Sequence, residues 1–549
     1  MKKIKSISEY FFSIYLFLLY KLKISYFKSK YYNKKISNNL LLKFQYKPSL
    51  HIINSLTSFN KRKIRIENFS LNSLWETSSK NILEFENLHN FLWLASLDIK
   101  TTKSTTQAII ENWIDGNFNF NEETWRLDIL SKRLISWISN SNITLDESDI
   151  RYKEKFFASI MKQNNHLSKN VGSLDDGESK LICCSTLVLV GLSFKNQNET
   201  YEQGLSMLQK VVKNFFYETG FPKSRNPDEL TVCLKYLILI KEWIKESQNQ
   251  IPDYLEEIIF NCGKSFNFLS KNLTSLPLFN GSSEVQNEEF KKYLKYLNYN
   301  FTDISKEKCG YVLFKDKKIV FIMDAGDASE IKYSSKYQSG CLSFEITSNN
   351  EKIVCNSGFA ANKSKLILAS KSSAAHSTLY LNNHSSCSFK KRNPSSIYLQ
   401  NQITEGLKII EKKIVNDNNF NSITASHNGY QKRYGYIHER SVKLIKKEKA
   451  FHGMDNLIKT KKAKNVPYGI RFHIYPGIKI IKTKNSRSVL LSLKNGEGWR
   501  FNCQNMEILI EEGIYLGNKN EIINNENIFI SGMTNGENKN INWSFEKIS

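Results

Sequence analysis

Apolar residues recur at three- and four-residue spacing from about residue 85 to 271. Residues 123–140 (ETWRLDILSKRLISWISN) place Leu127, Leu130, Leu134 and Ile138 on one helical face. Residues 150–168, 178–192, 201–217, 229–247 and 252–269 follow the same rule, joined by short polar or Gly/Pro/Asn links such as Gly220-Phe221-Pro222. Short links between successive helices make antiparallel hairpins. Several hairpins in series bury their stripes only by closing into a ring or stacking as a superhelix. No motif of fixed period is legible, so the pattern predicts an irregular helical toroid over residues 85–290. Residues 1–84 form a segment packed on it or leading into it.

Near residue 310 the period changes from helical to alternating. Residues 310–314 and 319–323 flank a Lys/Asp turn and read as a hairpin, and 342–347 and 353–355 repeat the theme around Ser348-Asn349-Asn350. Short alternating runs follow at 377–381, 406–415, 434–445, 468–475, 478–483, 488–493, 498–502 and 506–516. Many short strands with frequent turn signals predict an antiparallel β-sandwich over residues 305–549. The chain of 549 residues is too long for one ordinary core. The fold class expected is α+β multidomain, toroid first and sandwich second.

Charge adds a class of partner. There are 78 basic against 53 acidic residues, a formal net charge of +25. Such an excess attracts polyanions: nucleic acid, anionic lipid or an acidic sugar polymer. A bias toward Lys, Asn and Ile along the whole chain is the competing explanation. Nine cysteines are scattered without a CxxC pair, which supports neither a zinc knuckle nor a redox motif and points to free, buried thiols. Residues 1–5 are basic and 10–20 (YFFSIYLFLLY) apolar, like the start of a secretory signal, but no small-residue cleavage site follows. The run is shorter than the ~20 residues of a spanning helix. It is read as an amphipathic or packed helix, with an uncleaved export signal or membrane-surface anchor as the alternative.

Familiar enzyme signatures are missing: no GxGxxG after a strand, no Walker-type loop, no GxSxG elbow and no HExxH. No nucleic-acid-binding fold is recognisable, so no specific nucleic acid is expected. Three clusters stand out. Residues 221–227 (FPKSRNP) join two helices and offer Arg225 and Asn226 to an anion. The plainer reading is a helix restart, Asn226 capping and Pro227 at the first position. Residues 339–345 (SGCLSFE) with 354–358 (VCNSG) read most simply as two core strands and their turn. Residues 373–379 (SAAHSTL) carry His376 among small residues, where a hydrogen-bonded structural role is the common one.

Together these clusters resemble the heparinase II/III family of polysaccharide lyases, in its less-characterised bacterial branch. The resemblance runs from about residue 85 to the C-terminus. It is carried by residues 128–137 (DILSKRLISW), 224–227 (SRNP), 278–281 (LFNG), 320–326 (VFIMDAG), 340–345 (GCLSFE), 374–378 (AAHST), 471–477 (RFHIYPG) and 496–501 (GEGWRF). It implies an incomplete (α/α) toroid followed by an antiparallel β-sandwich. The implied activity is β-elimination on a uronate-containing acidic polysaccharide. Such chemistry needs a group to neutralise the uronate carboxylate, a general base and a general acid. By resemblance Asn226 with neighbouring Arg225 occupies the carboxylate-neutralising corner, and His376 corresponds to a sandwich histidine that in some members helps bind zinc; here it is taken to act in proton transfer or to orient the cleft. The implied location is the cell envelope or periplasm, whereas unpaired thiols and the missing cleavage site favour the cytoplasm.

The chain also departs from the family pattern. Where many members read HAHADALSFE, it reads Lys336-Tyr337-Gln338-Ser339-Gly340-Cys341-Leu342-Ser343-Phe344-Glu345. Both histidines are replaced, and Asn356 stands where an Asp usually serves zinc. Of the implied zinc set Gln338, Asn356 and His376, only His376 is a good ligand, so no metal and no other cofactor is expected. No toroid tyrosine matches the family's catalytic one. Tyr337 is taken as its substitute, with Gln338, Asn280 and Lys336 as substrate-binding residues. A scaffold that kept carbohydrate binding or a role in envelope assembly but lost catalysis is the alternative.

Overall fold

The computed structural model describes residues 2–37, 43–57, 75, 82–96, 103–360, 365–390, 401–484, 486–503, 506–518 and 521–548. Of the predicted 1–84 segment, residues 58–81 lie outside these apart from Trp75.

Helices in the N-terminal half sort into two layers by their hydrophobic pattern. Gly177–Ser193 and Pro227–Glu246 are buried on almost every side. Leu127–Ser139 is likewise buried from Ile129 onward, Lys132 excepted. Helices apolar all round belong inside, and Gly177–Ser193 packs between the other two as an inner row. By contrast Asn198–Phe215 buries only Gly204, Leu208, Val211 and Phe215. It packs against Gly177–Ser193 as an outer helix, and Asp253–Ser270 covers Pro227–Glu246 in the same way. Outer helices thus show the clean stripes, and alternation of inner and outer makes the (α/α) toroid. Arg133 of the inner row is wholly buried and donates to Gln163 (Nε 2.8 Å) and to the carbonyls of His89 and Thr124 (2.9 and 3.0 Å), so no donor is stranded.

The C-terminal half is two antiparallel sheets face to face. One runs in the order Glu307–Lys308, Tyr311–Asp316, Ile319–Asp324, Phe344–Ser348, Glu351–Cys355, Pro467–Ile474, Ile523–Met533 and Leu509–Tyr515, with Leu379–Leu381 also paired to Pro467–Ile474. The other has eight strands, from Lys479–Lys482 at one edge through Lys539–Lys547 and Ala450–Lys459 to Ile409–Asn416. Between them lies an aromatic core of Phe321, Phe344, Phe451, Phe472, Trp499 and Trp543. Phe344 stacks on Trp543 with centroids 5.4 Å apart.

Four long strands go beyond the alternation read from the sequence: Phe420–His427, Ala450–Lys459, Ile523–Met533 and Lys539–Lys547. In Lys539–Lys547 the terminal lysines and the outward Asn540 and Asn542 mask the inward set Ile541, Trp543 and Phe545.

Inside the sandwich Arg440 binds Asp455 through Nε and Nη2 (2.8 and 2.9 Å), and Trp543 and His438 donate to the same carboxylate. Its remaining arm, Nη1, donates to the carbonyls of Leu342 and Ser377 (2.8 and 2.6 Å). This fully satisfied buried ion pair fixes the backbone beside His376.

Candidate active site

Residues 276–284 of the helical half lie against the sandwich and carry much of the joint. Glu345 accepts the Leu278 N–H at 2.9 Å, and Lys352, paired to Glu345 at 3.2 Å, donates to the Leu276 carbonyl. The carboxylate of Glu284 accepts from the Tyr475 and Tyr515 hydroxyls. Arg225 closes the joint on its other flank. Its guanidinium is ion-paired with Asp324 and donates to the carbonyls of Cys309 (3.0 Å) and Asp327 (2.9 Å). It also lies 4.9 Å over the Tyr311 ring. A side chain at Gly326 would collide with that guanidinium, so only glycine fits there.

Asn226 is the N-cap of Pro227–Glu246, with Pro227 in the first turn. Its Oδ1 accepts from the N–H groups of Asp228 (2.8 Å) and Glu229 (3.3 Å). Capping fixes the amide so that Nδ2 points away from the helix, and this buried Nδ2 has no hydrogen-bond partner. It borders Gly281, where an added Cβ would stand 3.0 Å from Nδ2 and still closer to Lys336. The helix restart and the offered amide are therefore one device: the cap aims the donor.

Lys336 is the most exposed of the predicted site residues. Its ammonium is held between Glu229 (2.9 Å) and Glu178 (3.2 Å). Burial works against its charge, but Glu178, Glu229 and Asp176 outweigh that and hold its pKa well above the ordinary lysine value. Burial raises the Glu229 pKa, opposed by Lys336; Glu229 also accepts a hydrogen bond from the Ser224 hydroxyl. Lys336 is thus a fixed cation and no general base. Glu178, Glu229 and Asp324 are not singled out by the sequence. Glu229 sits three residues after the cap, a capping-box position, and Asp324 lies within VFIMDAG.

The other predicted residues divide between the joint and the core. Asn280 donates through Nδ2 to Asp324 (3.0 Å) and to the Tyr311 hydroxyl (2.7 Å), which makes it part of the joint. Gln338 is buried and ties three segments: Oε1 accepts the Gly281 N–H at 2.8 Å, and Nε2 donates to the carbonyls of Gly358 (3.0 Å) and Ser370 (2.6 Å). Tyr337 turns inward and is wholly buried in the sandwich core. His376 is buried too. Its Nδ1 donates to the Ser372 carbonyl at 2.8 Å, leaving Nε2 as a lone pair without a partner. Burial lowers its pKa to about 4, against the opposing pull of the Ser372 carbonyl and Asp324, so the ring is neutral. Asn226, Lys336 and Gln338 thus meet around Gly281. His376 is linked to them through Gln338 and the Ser370–Ser372 turn. Tyr337 is not brought to the same surface.

Zinc does not fit the residues at this corner. Gln338 spends its oxygen and its amide on backbone groups, and the Asn356 Oδ1 accepts the Ser377 N–H at 3.0 Å. His376 Nε2 is the one unengaged nitrogen ligand of the three residues, and one imidazole with two hydrogen-bonded amides makes a poor zinc site.

A cavity of about 740 Å³ opens at the joint beside Arg225, lined by Tyr217, Lys223, Cys309, Asp327 and Lys412 among others. That is the size range of small-ligand clefts. Asn226 and His376 do not line it.

A two-layer helical toroid joined to a two-sheet antiparallel sandwich is the architecture this chain shares with solved heparinase structures. Residues 302–544 match the family model "Heparinase II/III-like, C-terminal". That match spans the sandwich half of the chain. Among solved structures the chain is similar to heparinase III, with 13% identity and a TM-score of 0.67 over 93% of this chain and 86% of that one. It is also similar to a mutant of heparan sulfate lyase HepC from Pedobacter heparinus, with 15% identity and a TM-score of 0.62 over 89% and 78%. Comparison with curated proteins finds no match.

Proposed function

We propose that this protein acts on a uronate-containing acidic polysaccharide by β-elimination. The observation that carries the reading is the buried, unpartnered Asn226 amide, which meets the Lys336 segment across Gly281 at the toroid–sandwich joint. One dipolar donor and one cation suit a carboxylate whose charge grows onto the enolate as the C5 proton leaves. The neutral His376 ring, its Nδ1 hydrogen fixed, has Nε2 ready to take a proton. Departure of the 4-linked oxygen then forms the C4–C5 double bond, and that oxygen takes up a proton. Because Asn226 and His376 are buried, the reading requires the joint to part when the chain binds sugar. The test is incubation with a panel of uronate polymers while following ultraviolet absorbance of the unsaturated product. A folded sample inert toward the whole panel excludes catalysis.

A second reading is a carbohydrate-binding or envelope-assembly protein that no longer cleaves. The pinning of Lys336 between Glu178 and Glu229 and the burial of Tyr337 favour it. It predicts salt-sensitive retention on an acidic-glycan column with no absorbance change. Both readings place the protein in the cell envelope or periplasm, with an acidic polysaccharide rather than a specific nucleic acid as partner. No helix among the described residues is long and apolar enough to cross a membrane. Both also have the corner working without zinc, Gln338 tying the segments. Elemental analysis finding one tightly held zinc per chain refutes that point.

A further inference from the structure

The first helix, Lys2–Lys28, has two apolar faces, and the body of the protein uses one. Tyr20, Ile24 and Phe27 turn inward: Tyr20 donates to Glu122 at 2.7 Å, and Phe27 is buried against Tyr32, Phe120 and His166. On the other face Phe11, Phe12, Tyr15, Leu18, Leu19 and Leu22 are all exposed. At about 100° per residue these six fall within an arc of about 120°. Lys21 and Lys23 flank that arc on opposite sides.

A second feature lies at the end of this helix. The chain turns at Ser29 into Lys30–Ile36. There a cavity of about 330 Å³ is lined by Lys28, Lys30, Lys34 and Lys162 together with Asn33 and Asn119. Lys162 is nearly inaccessible, donates to Asn119 at 2.7 Å and lies over the Phe118 ring. Glu122, 3.3 Å from Lys28, is an acidic neighbour of the cluster. Residues 1–37 hold nine lysines and one acidic residue.

We propose that this helical hairpin docks the protein on an anionic bilayer. The aromatic and leucine stripe enters the interface, Lys21 and Lys23 reach the headgroups on either side, and the four-lysine cavity takes a lipid phosphate. Amphipathic helices with lysines beside an aromatic stripe lie in the interfacial plane in this way. The positive field of the hairpin complements that surface and fades within a Debye length, about 8 Å at physiological salt. A protein partner would bury the same stripe but gives no use to four converging lysines, so the charge selects the membrane.

The test is co-sedimentation of the full chain with vesicles of phosphatidylcholine alone or with one quarter phosphatidylglycerol. Expected are binding to the anionic vesicles, little to the neutral ones, and release by salt. A Phe12→Ser/Leu18→Ser/Leu22→Ser variant should stay in the supernatant with an unchanged thermal midpoint, since those side chains touch no core. Lys30→Glu/Lys34→Glu should weaken binding by about tenfold or more. Equal binding to both vesicle types, or serine variants that sediment like the parent, overturns the proposal. So does capture of a protein partner through this face with no vesicle binding.

Discussion

Arg225 of the helical half and Asp324 of the sandwich form a buried ion pair across the joint, 99 residues apart in the chain. Asn280 donates to the other carboxylate oxygen, and Gly326 N–H and two further carbonyls complete the set. The guanidinium that the sequence offers to a substrate is therefore engaged in joining the two domains. Removing one partner of such a pair leaves an uncompensated buried charge, at about 3–5 kcal/mol. Asp324→Ala should lower unfolding free energy by that amount in urea titrations, and Arg225→Ala should match it. An Arg225→Ala protein with wild-type stability and lost turnover returns Arg225 to the catalytic set.

Asn226 joins two jobs that substitution can separate. Asp caps a helix as well as Asn does, whereas Ala forfeits about 1 kcal/mol. Asn226→Asp should keep the thermal midpoint but place a carboxylate against the uronate and cut turnover by about 10²-fold or more. Asn226→Ala should lose both stability and turnover. Equal activity of the Asp variant and the parent dissociates this amide from the reaction.

Lys336 stands as the cation of the corner, so its charge rather than its length is the prediction. Lys336→Arg should retain part of the activity, and Lys336→Gln should lose about 10²–10³-fold, read chiefly in kcat/KM. Indifference to both changes leaves the acidic pair Glu178 and Glu229 as a purely structural acceptor of the lysine.

Acid should unfold this protein early. Burial lowers the pKa of His89 and His376 to about 4 and of His166 and His473 to about 3, all from an ordinary 6.5. A folded-state pKa below the unfolded one means the folded protein binds fewer protons. The stability these rings permit is full above about pH 6.5 and drains as pH falls toward 4. Each unit of depression is about 1.4 kcal/mol per ring. Thermal midpoints should fall steeply between pH 6.5 and 4, and a flat profile there contradicts the buried, neutral assignment.

Much of this architecture is legible in the sequence because periodicity is local. The stretch read at 229–247 appears as Pro227–Glu246, and the hairpin at 310–323 as Tyr311–Asp316 with Ile319–Asp324. Strand Lys539–Lys547 escapes because Lys and Asn surround its inward Ile541, Trp543 and Phe545. The site was less readable for a different reason. Asn226 carries a local signal, Asn-Pro-x-Glu at a helix start, whereas pairing of Arg225 with Asp324 or Lys336 with Glu178 joins residues far apart in the chain. Tyr337 illustrates the same limit: its neighbours Lys336 and Gln338 reach the joint, but the irregular loop that carries it turns its ring into the core.

All nine cysteines are free, and Cys309 alone is more than slightly accessible. Burial pushes the thiols of Cys184 and Cys387 up to about 12 and that of Cys341 far above its ordinary value. Thiolates, not thiols, react with oxidants and alkylating reagents. Packing thus makes these sulfurs chemically silent whichever redox milieu surrounds the folded chain, so their unpaired state says nothing about its address. It also equips the protein with a clock: the pace at which a maleimide consumes the eight hidden sulfurs measures how often the native cores open.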